Sequence, residues 1–151
     1  MKKLLLVLFC ALLMAAPVWA AKIDQSSLTN WAKSASVAGY AFGGVEETDP
    51  GVYMAVWMNK KEEMIGIQLQ PAAEFSKMAN QTINKKKPAS FIYNGAPAIY
   101  TDALAPSASL AISYEKAGKT LVLMNMGQAR AFTQAELVKI LDGMNVDKLF
   151  K

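Results

Sequence analysis

Met124 and Met126 stand two positions apart in VLMNMG, residues 122–127, and Met54, Met58 and Met64 lie close together earlier in the chain. Thioether sulfur is a soft donor, so closely placed methionines suit Cu(I). The same side chain is unbranched and polarizable, which suits an adaptable contact surface or ordinary core packing. Met78 and Met144 fall on the apolar faces of helical patterns, and packing accounts for them. Leu121 to Met126 is almost continuously apolar. That is the pattern of an interior strand covered on both sides, so Met124 and Met126 are expected in the core. Met54, Met58 and Met64 are less easily assigned to it.

Other reactive side chains give weaker signals. Arg130 is the only arginine in the chain, and its planar fork suits a carboxylate or phosphate. It precedes a helix start, where backbone N–H groups also favour anions; a solvated loop residue or a salt bridge is the competing assignment. Glu46, Glu47 and Asp49 precede a turn, and Glu62-Glu63 sit on a hairpin tip. Both places favour solvated carboxylates over acid–base work. Gly43-Gly44 lacks the frame of a phosphate loop. Lys85-Lys86-Lys87 reads as a solvated helix end rather than an anion or membrane site, and the sequon Asn80-Gln81-Thr82 is incidental in a helical setting.

Absences narrow the chemistry further. Lys2-Lys3, the apolar run Leu4 to Ala16, the break at Pro17 and the triplet Val18-Trp19-Ala20 form a secretory leader. The apolar run is shorter than the roughly 20 residues of a spanning helix. Phe9 before Cys10 argues against a lipoprotein cut. Cleavage near Ala20/Ala21 leaves residues 21–151 as a single periplasmic or secreted domain with no membrane anchor in the mature form. Cys10 departs with the leader, and the chain has no histidine. Disulfides, Ser-His-Asp and Cys-His nucleophiles, Cys/His zinc sites and histidine-held haem are therefore excluded. Loss of Lys2 and Lys3 lowers the net charge from +4 to +2, which is no nucleic-acid footprint.

The positioning elements follow from periodicity. Leu28, Trp31, Ala32 and Ala35 mark an amphipathic helix after Asp24. Gly39 to Glu46 is a strand interrupted at Gly43-Gly44, and Thr48 to Gly51 is a turn. Val52 to Met58 and Met64 to Gln70 are strands joined by Asn59 to Glu63. Pro71 suits a first helical position, with Phe75, Met78, Ala79 and Thr82 on one face and Lys85 to Pro88 as the stop. Asn94-Gly95 is a hairpin turn. Ala108 to Tyr114 and Thr120 to Met126 are further strands around a tip containing Gly118. Thr133 and Glu136 form a capping box, and Gly143 is the expected stop of the last helix. The connections are mostly too short for parallel crossovers. The fold expected is α+β, one antiparallel sheet of about six to seven strands with helices packed on it.

Hairpin register then selects a surface. A five-residue loop sets Met58 opposite Met64 and, counting back, Val56 opposite Gly66, Met54 opposite Gln68 and Val52 opposite Gln70. The other face carries Trp57 with Ile65, Ala55 with Ile67 and Tyr53 with Leu69, and is the better core. Buried amides need partners, so a face of methionines, a glycine and two glutamines is either a binding surface or a helix-covered face with glutamines at its rim. Met54, Met58, Met64, Gly66, Gln68, Gln70 and Arg130 are the candidate binding residues.

The order Tyr93-Asn94-Gly95, Ala98-Ile99-Tyr100, Leu110-Ala111-Ile112-Ser113-Tyr114, Thr120-Leu121-Val122-Leu123 and Thr133-x-x-Glu136-Leu137-x-Lys139-Ile140 carries a resemblance. Residues 91–144 are similar to the uncharacterised extracellular domain of some bacterial anti-sigma-type membrane proteins and lipoproteins. The resemblance implies a non-enzymatic sensing or binding module and no site residues. The function expected is therefore an envelope module that recognises a protein or peptide through its sheet, without catalysis, cofactor or resident metal. The alternatives are a carrier of an apolar small molecule or lipid and a methionine-based Cu(I) binder. Intact-mass measurement on a periplasmic extract should find a chain beginning at Ala21; a membrane-anchored form of all 151 residues would overturn the export assignment.

Overall fold

The computed structural model describes residues 23–150, so the leader and its cleavage site lie outside the described residues. The elements are α1 (Gln25–Ser34), β1 (Ala41–Asp49), β2 (Val52–Met58), β3 (Met64–Pro71), α2 (Ala73–Asn80), β4 (Ala89–Tyr93), β5 (Ala96–Thr101), β6 (Ser109–Tyr114), β7 (Lys119–Met126) and α3 (Gln134–Met144). Short 3-10 turns follow β6 and α3. All seven strands form one antiparallel sheet in the order β1-β2-β3-β7-β6-β5-β4. The fold is a single α+β domain. It consists of two meanders, β1 to β3 and β4 to β7, joined where β7 pairs with β3.

One face of the sheet holds the main core. Trp57, Ile65, Ile67, Leu69, Leu110, Ile112, Leu121 and Leu123 point into it and are sealed off from solvent. Leu28, Trp31 and Ala32 of α1 and Leu137, Leu141 and Met144 of α3 close over them. Burying each large apolar side chain contributes about 1.5–3 kcal/mol, so this face supplies most of the driving force. Asp24 caps α1 by accepting from the backbone N–H of Ser27 at 2.9 Å. Thr133 and Glu136 form the expected capping box on α3.

The chain must pass from β3 to the far edge at β4, and α2 makes that crossing on the opposite face. It packs Phe75, Met78 and Ala79 on Ile99, Ala111 and Val122. Its limits differ from those the sequence suggests. Pro71 ends β3, paired with Lys119, and the helix begins at Ala73. The Ala72 N–H is held by the Gly118 carbonyl at 3.1 Å, and the Ala72 carbonyl accepts from the Thr120 hydroxyl at 3.3 Å. This clamp keeps the strand extended past the position where Pro71 would start a helix. The helix also stops at Asn80, well before the lysines. Asn84 and Lys85 take positive φ (49° and 63°), and Ile83 and Lys86 exchange backbone hydrogen bonds, so the cluster lies in a tight turn. Gly143 sits inside α3, and Asn145 (φ 53°) ends it in the left-handed conformation that asparagine tolerates.

A polar residue in the apolar β7 run organises the loops at one end of the sheet. Asn125 is fully buried. Its carbonyl oxygen accepts from the backbone N–H of Ala108 (2.9 Å) and Phe132 (3.3 Å). Its amide donates to the Pro106 carbonyl (3.2 Å) and to Gln128 Oε1 (3.0 Å). Gln128 in turn donates to the Met64 carbonyl at 3.0 Å. Each buried group left without its partner costs about 1–3 kcal/mol. Asn125→Ala, which orphans two backbone donors, should lower unfolding stability by roughly 2–4 kcal/mol; urea denaturation of both forms measures it, and an unchanged midpoint would show that other groups hold these loops.

Candidate functional site

The register read from the sequence holds. Met58 pairs with Met64, Val56 with Gly66 and Met54 with Gln68, although the ladder begins at Tyr53–Leu69 and does not include Val52–Gln70. The next strand extends each row, because β7 sets Met126 opposite Met64, Met124 opposite Gly66 and Val122 opposite Gln68. Side chains alternate across a strand, so all of these lie on the face away from the main core. Met54, Met58, Met64, Met124 and Met126 therefore share one patch drawn from both meanders. Their part in it was missed in the sequence for Met124 and Met126, which were expected in the core. Val122 is buried beneath α2, but cover fades along β7, and Met124 and Met126 are only half-buried.

Gly66 is the centre of the patch. A Cβ placed there would lie 3.1 Å from Met126 Cε, 3.4 Å from Met124 Cγ and 3.7 Å from Met54 Sδ. The glycine is buried and does not present bare backbone to a ligand. Its missing side chain instead makes room for methionines from two flanking strands to fold over it. Met58 remains 41% exposed at the outer corner. Gln68 and Gln70 form the other rim. Gln70 donates to Gln68 Oε1 at 2.6 Å, and Gln68 donates to the Thr48 hydroxyl at 3.3 Å. These half-buried amides thus have partners, which is what their setting requires.

The patch is only partly covered. Among the described residues, α2 is the helix on this side, and it rests on β6 and β7, leaving the β2–β3 part without a helix above it. A cleft of about 710 Å³ lies elsewhere, walled by Ile23, Asn94, Tyr114, Lys116 and Phe150. An apolar pocket of about 100 Å³ lies under α2 between Met78, Ile99 and Leu104, and a polar one of about 220 Å³ lies between Tyr93, Asp142 and Lys148. The five methionines line none of the three. The donors on the patch are thioethers and amides, so a metal held there would have to be a soft ion such as Cu(I). No group of histidine, cysteine and carboxylate residues arranged for a metal occurs among the described residues.

The structure does not bring Arg130 to this surface. Its guanidinium grips Glu136 with two bonds, Nη1 to Oε2 at 2.8 Å and Nη2 to Oε1 at 2.5 Å, and it also donates to the Ala131 carbonyl. The cation lies 5.7 Å from the Phe132 ring centre. The fork that could have taken an external anion is occupied by the carboxylate of the capping box. In a search of protein families, curated proteins and solved structures, the chain has no match.

The Arg130 fork, followed by the Thr133 N–H, holds Glu136 down to about 2 from its ordinary 4.5. The unfolded chain takes up this proton near 4.5, whereas the folded chain does so only near 2. The stabilisation is therefore complete above pH 4.5 and is lost as pH falls from there toward 2. Denaturant midpoints measured across this range should converge for wild type and Glu136→Gln. A gap between the two that stays constant through the acid range would show that Glu136 ionisation does not contribute.

Proposed function

We propose that this chain is an exported, non-enzymatic binding module that recognises a protein or peptide through the methionine-rich face of β2, β3 and β7. One observation carries the reading. Five methionines from both meanders share one face, three of them packed around Gly66, and among the described residues no helix lies over its β2 and β3 part and none of the three clefts is lined by these methionines. Small-molecule sites are concave and enclose most of their ligand. An apolar patch rimmed by amides has the anatomy of a macromolecular contact, with an apolar centre and a polar border. Methionine side chains can repack around differently shaped partners, which supports an adaptable surface. The carrier alternative needs an enclosing cavity, and the three clefts described lie away from these methionines.

A photo-crosslinking amino acid placed at Met58 in the producing cell should join the chain to a discrete protein partner. The same group at Leu104, exposed but away from the patch, should not. Met54, Met58 and Met64 changed together to Leu keep volume approximately constant, at a cost of less than about 1.5 kcal/mol per site if repacking succeeds, while crosslinking should fall several-fold. Equal capture from both positions, or undiminished capture by the folded triple variant, would refute this surface. Stoichiometric Cu(I) retention abolished by the triple variant would move the assignment to metal binding.

A further inference from the structure

We propose that β4 is a self-pairing edge, through which two copies of the chain join antiparallel into one continuous sheet. The two ends of the sheet differ in how they meet solvent. The β1 edge carries Glu46, Glu47 and Asp49 and is broken by register shifts after Phe42 and after Glu47. Charges and bulges of this kind deter further strand addition. The β4 edge, Ala-Ser-Phe-Ile-Tyr, has neither charge nor bulge, and its pairing with β5 runs without a shift from Ala89–Tyr100 to Tyr93–Ala96.

The Asn94-Gly95 turn, with φ of 47° and 82°, joins β4 to β5 in a two-residue hairpin. In such a hairpin Tyr93 and Ala96 form a hydrogen-bonded pair. The alternation then gives bonded pairs at Phe91–Ala98 and Ala89–Tyr100 and points the N–H and C=O of Ser90 and Ile92 outward. Among the described residues, no loop or side chain bonds to these four groups. Ile92 is 67% exposed beside them.

A second copy satisfies all four. Pairing about a two-fold axis at Phe91 sets Ser90 against Ile92 of the other copy, and both symmetric pairs fall in the hydrogen-bonded class. This register stops at Pro88, which has no N–H to offer. The charges at the two ends of β4 are also complementary to each other. Lys85, Lys86 and Lys87 precede the strand, and Lys86 is engaged by Asp102 while Lys87 is exposed. At the other end, Asn94 is bonded to Asp147 at 3.0 Å. Antiparallel pairing brings Lys87 opposite the Asn94-Gly95 turn of the other copy, close to its Asp147. An uncharged strand flanked by lysines at its start and by Asp147 of the turn after α3 at its end is self-complementary in the antiparallel sense, which favours a second copy over an unrelated peptide.

The pairing uses none of the methionine-patch residues and stands independently of the function proposed above. Sedimentation velocity of the protein over the micromolar range should show a monomer–dimer equilibrium. Ile92→Lys places repelling cations on both sides of the axis and should leave a monomer with an unchanged far-UV circular dichroism spectrum, whereas Ile92→Val should still dimerise. Lys87→Glu, which puts like charges together, should weaken association about ten-fold. A wild-type monomer throughout this range, or a dimer indifferent to Ile92→Lys, would overturn the proposal.

Discussion

The seam between β3 and β7 is the constraint on which the rest of the structure depends. Eight successive pairs, from Met64–Met126 to Pro71–Lys119, join two meanders that are otherwise local hairpins. A slip of one residue along this seam would turn every β7 side chain to the opposite face. Leu121 and Leu123 would leave the core, and Met124 and Met126 would enter it. Both ends are pinned against such a slip. At one, Gln128 reaches from beyond β7 to the Met64 carbonyl while Asn125 holds Gln128. At the other, Ala72 is bound through both its N–H and its carbonyl to Gly118 and Thr120. The pins are polar and directional, so they select a register that hydrophobic burial alone would leave looser.

That register produces two different faces. Toward α1 and α3, branched aliphatic side chains and Trp57 interlock and are sealed. Toward α2, cover is partial, and the residues beyond it are thioethers around a glycine rather than branched chains. Branched residues have few rotamers and specify one packing, whereas methionine adapts at the cost of definition. The sheet is thus rigid on one side and compliant on the other. A compliant surface on a rigid support is a workable arrangement for recognising a partner without loss of the fold.

Local signals were legible in the sequence because each arises from residues a few positions apart. The Asn59 to Glu63 loop length gave the β2–β3 register, and the loop holds it: Asn59 Oδ1 accepts from the N–H of Lys61 and Glu63 at 2.8 and 3.1 Å. Asn94-Gly95 and the Thr133–Glu136 box were readable for the same reason. The partner of β7 was not readable. Nothing in the spacing of Thr120 to Met126 says which distant strand it meets, and so Met124 and Met126 looked like core. Pro71 misled because the tertiary clamp at Ala72 outweighs its local preference for a helix start. The lysine run looked like a helix end, but its backbone turns left-handed at Asn84-Lys85. Asn125 carried a faint signal as the lone amide on the core-facing period of an apolar strand.

The titratable groups supply the last step of the reasoning. Burial first, then the adjoining Asp142 acceptor, pushes the Tyr93 hydroxyl well above its ordinary range, and burial with Asp147 does the same to Tyr114. These phenols donate to Asp142 at 2.9 Å and Asp147 at 3.1 Å, which ties α3 and the turn after it to β4 and β6. Glu136 and Asp24 move the other way, held ionised by Arg130 and by the Ser27 N–H respectively. Proton transfer near neutral pH calls for the reverse, carboxyls raised or phenols lowered toward the working pH. Here each shift carries its group further from neutrality and coincides with a structural bond. The ionisable side chains that the fold perturbs in this way act as fasteners between its elements.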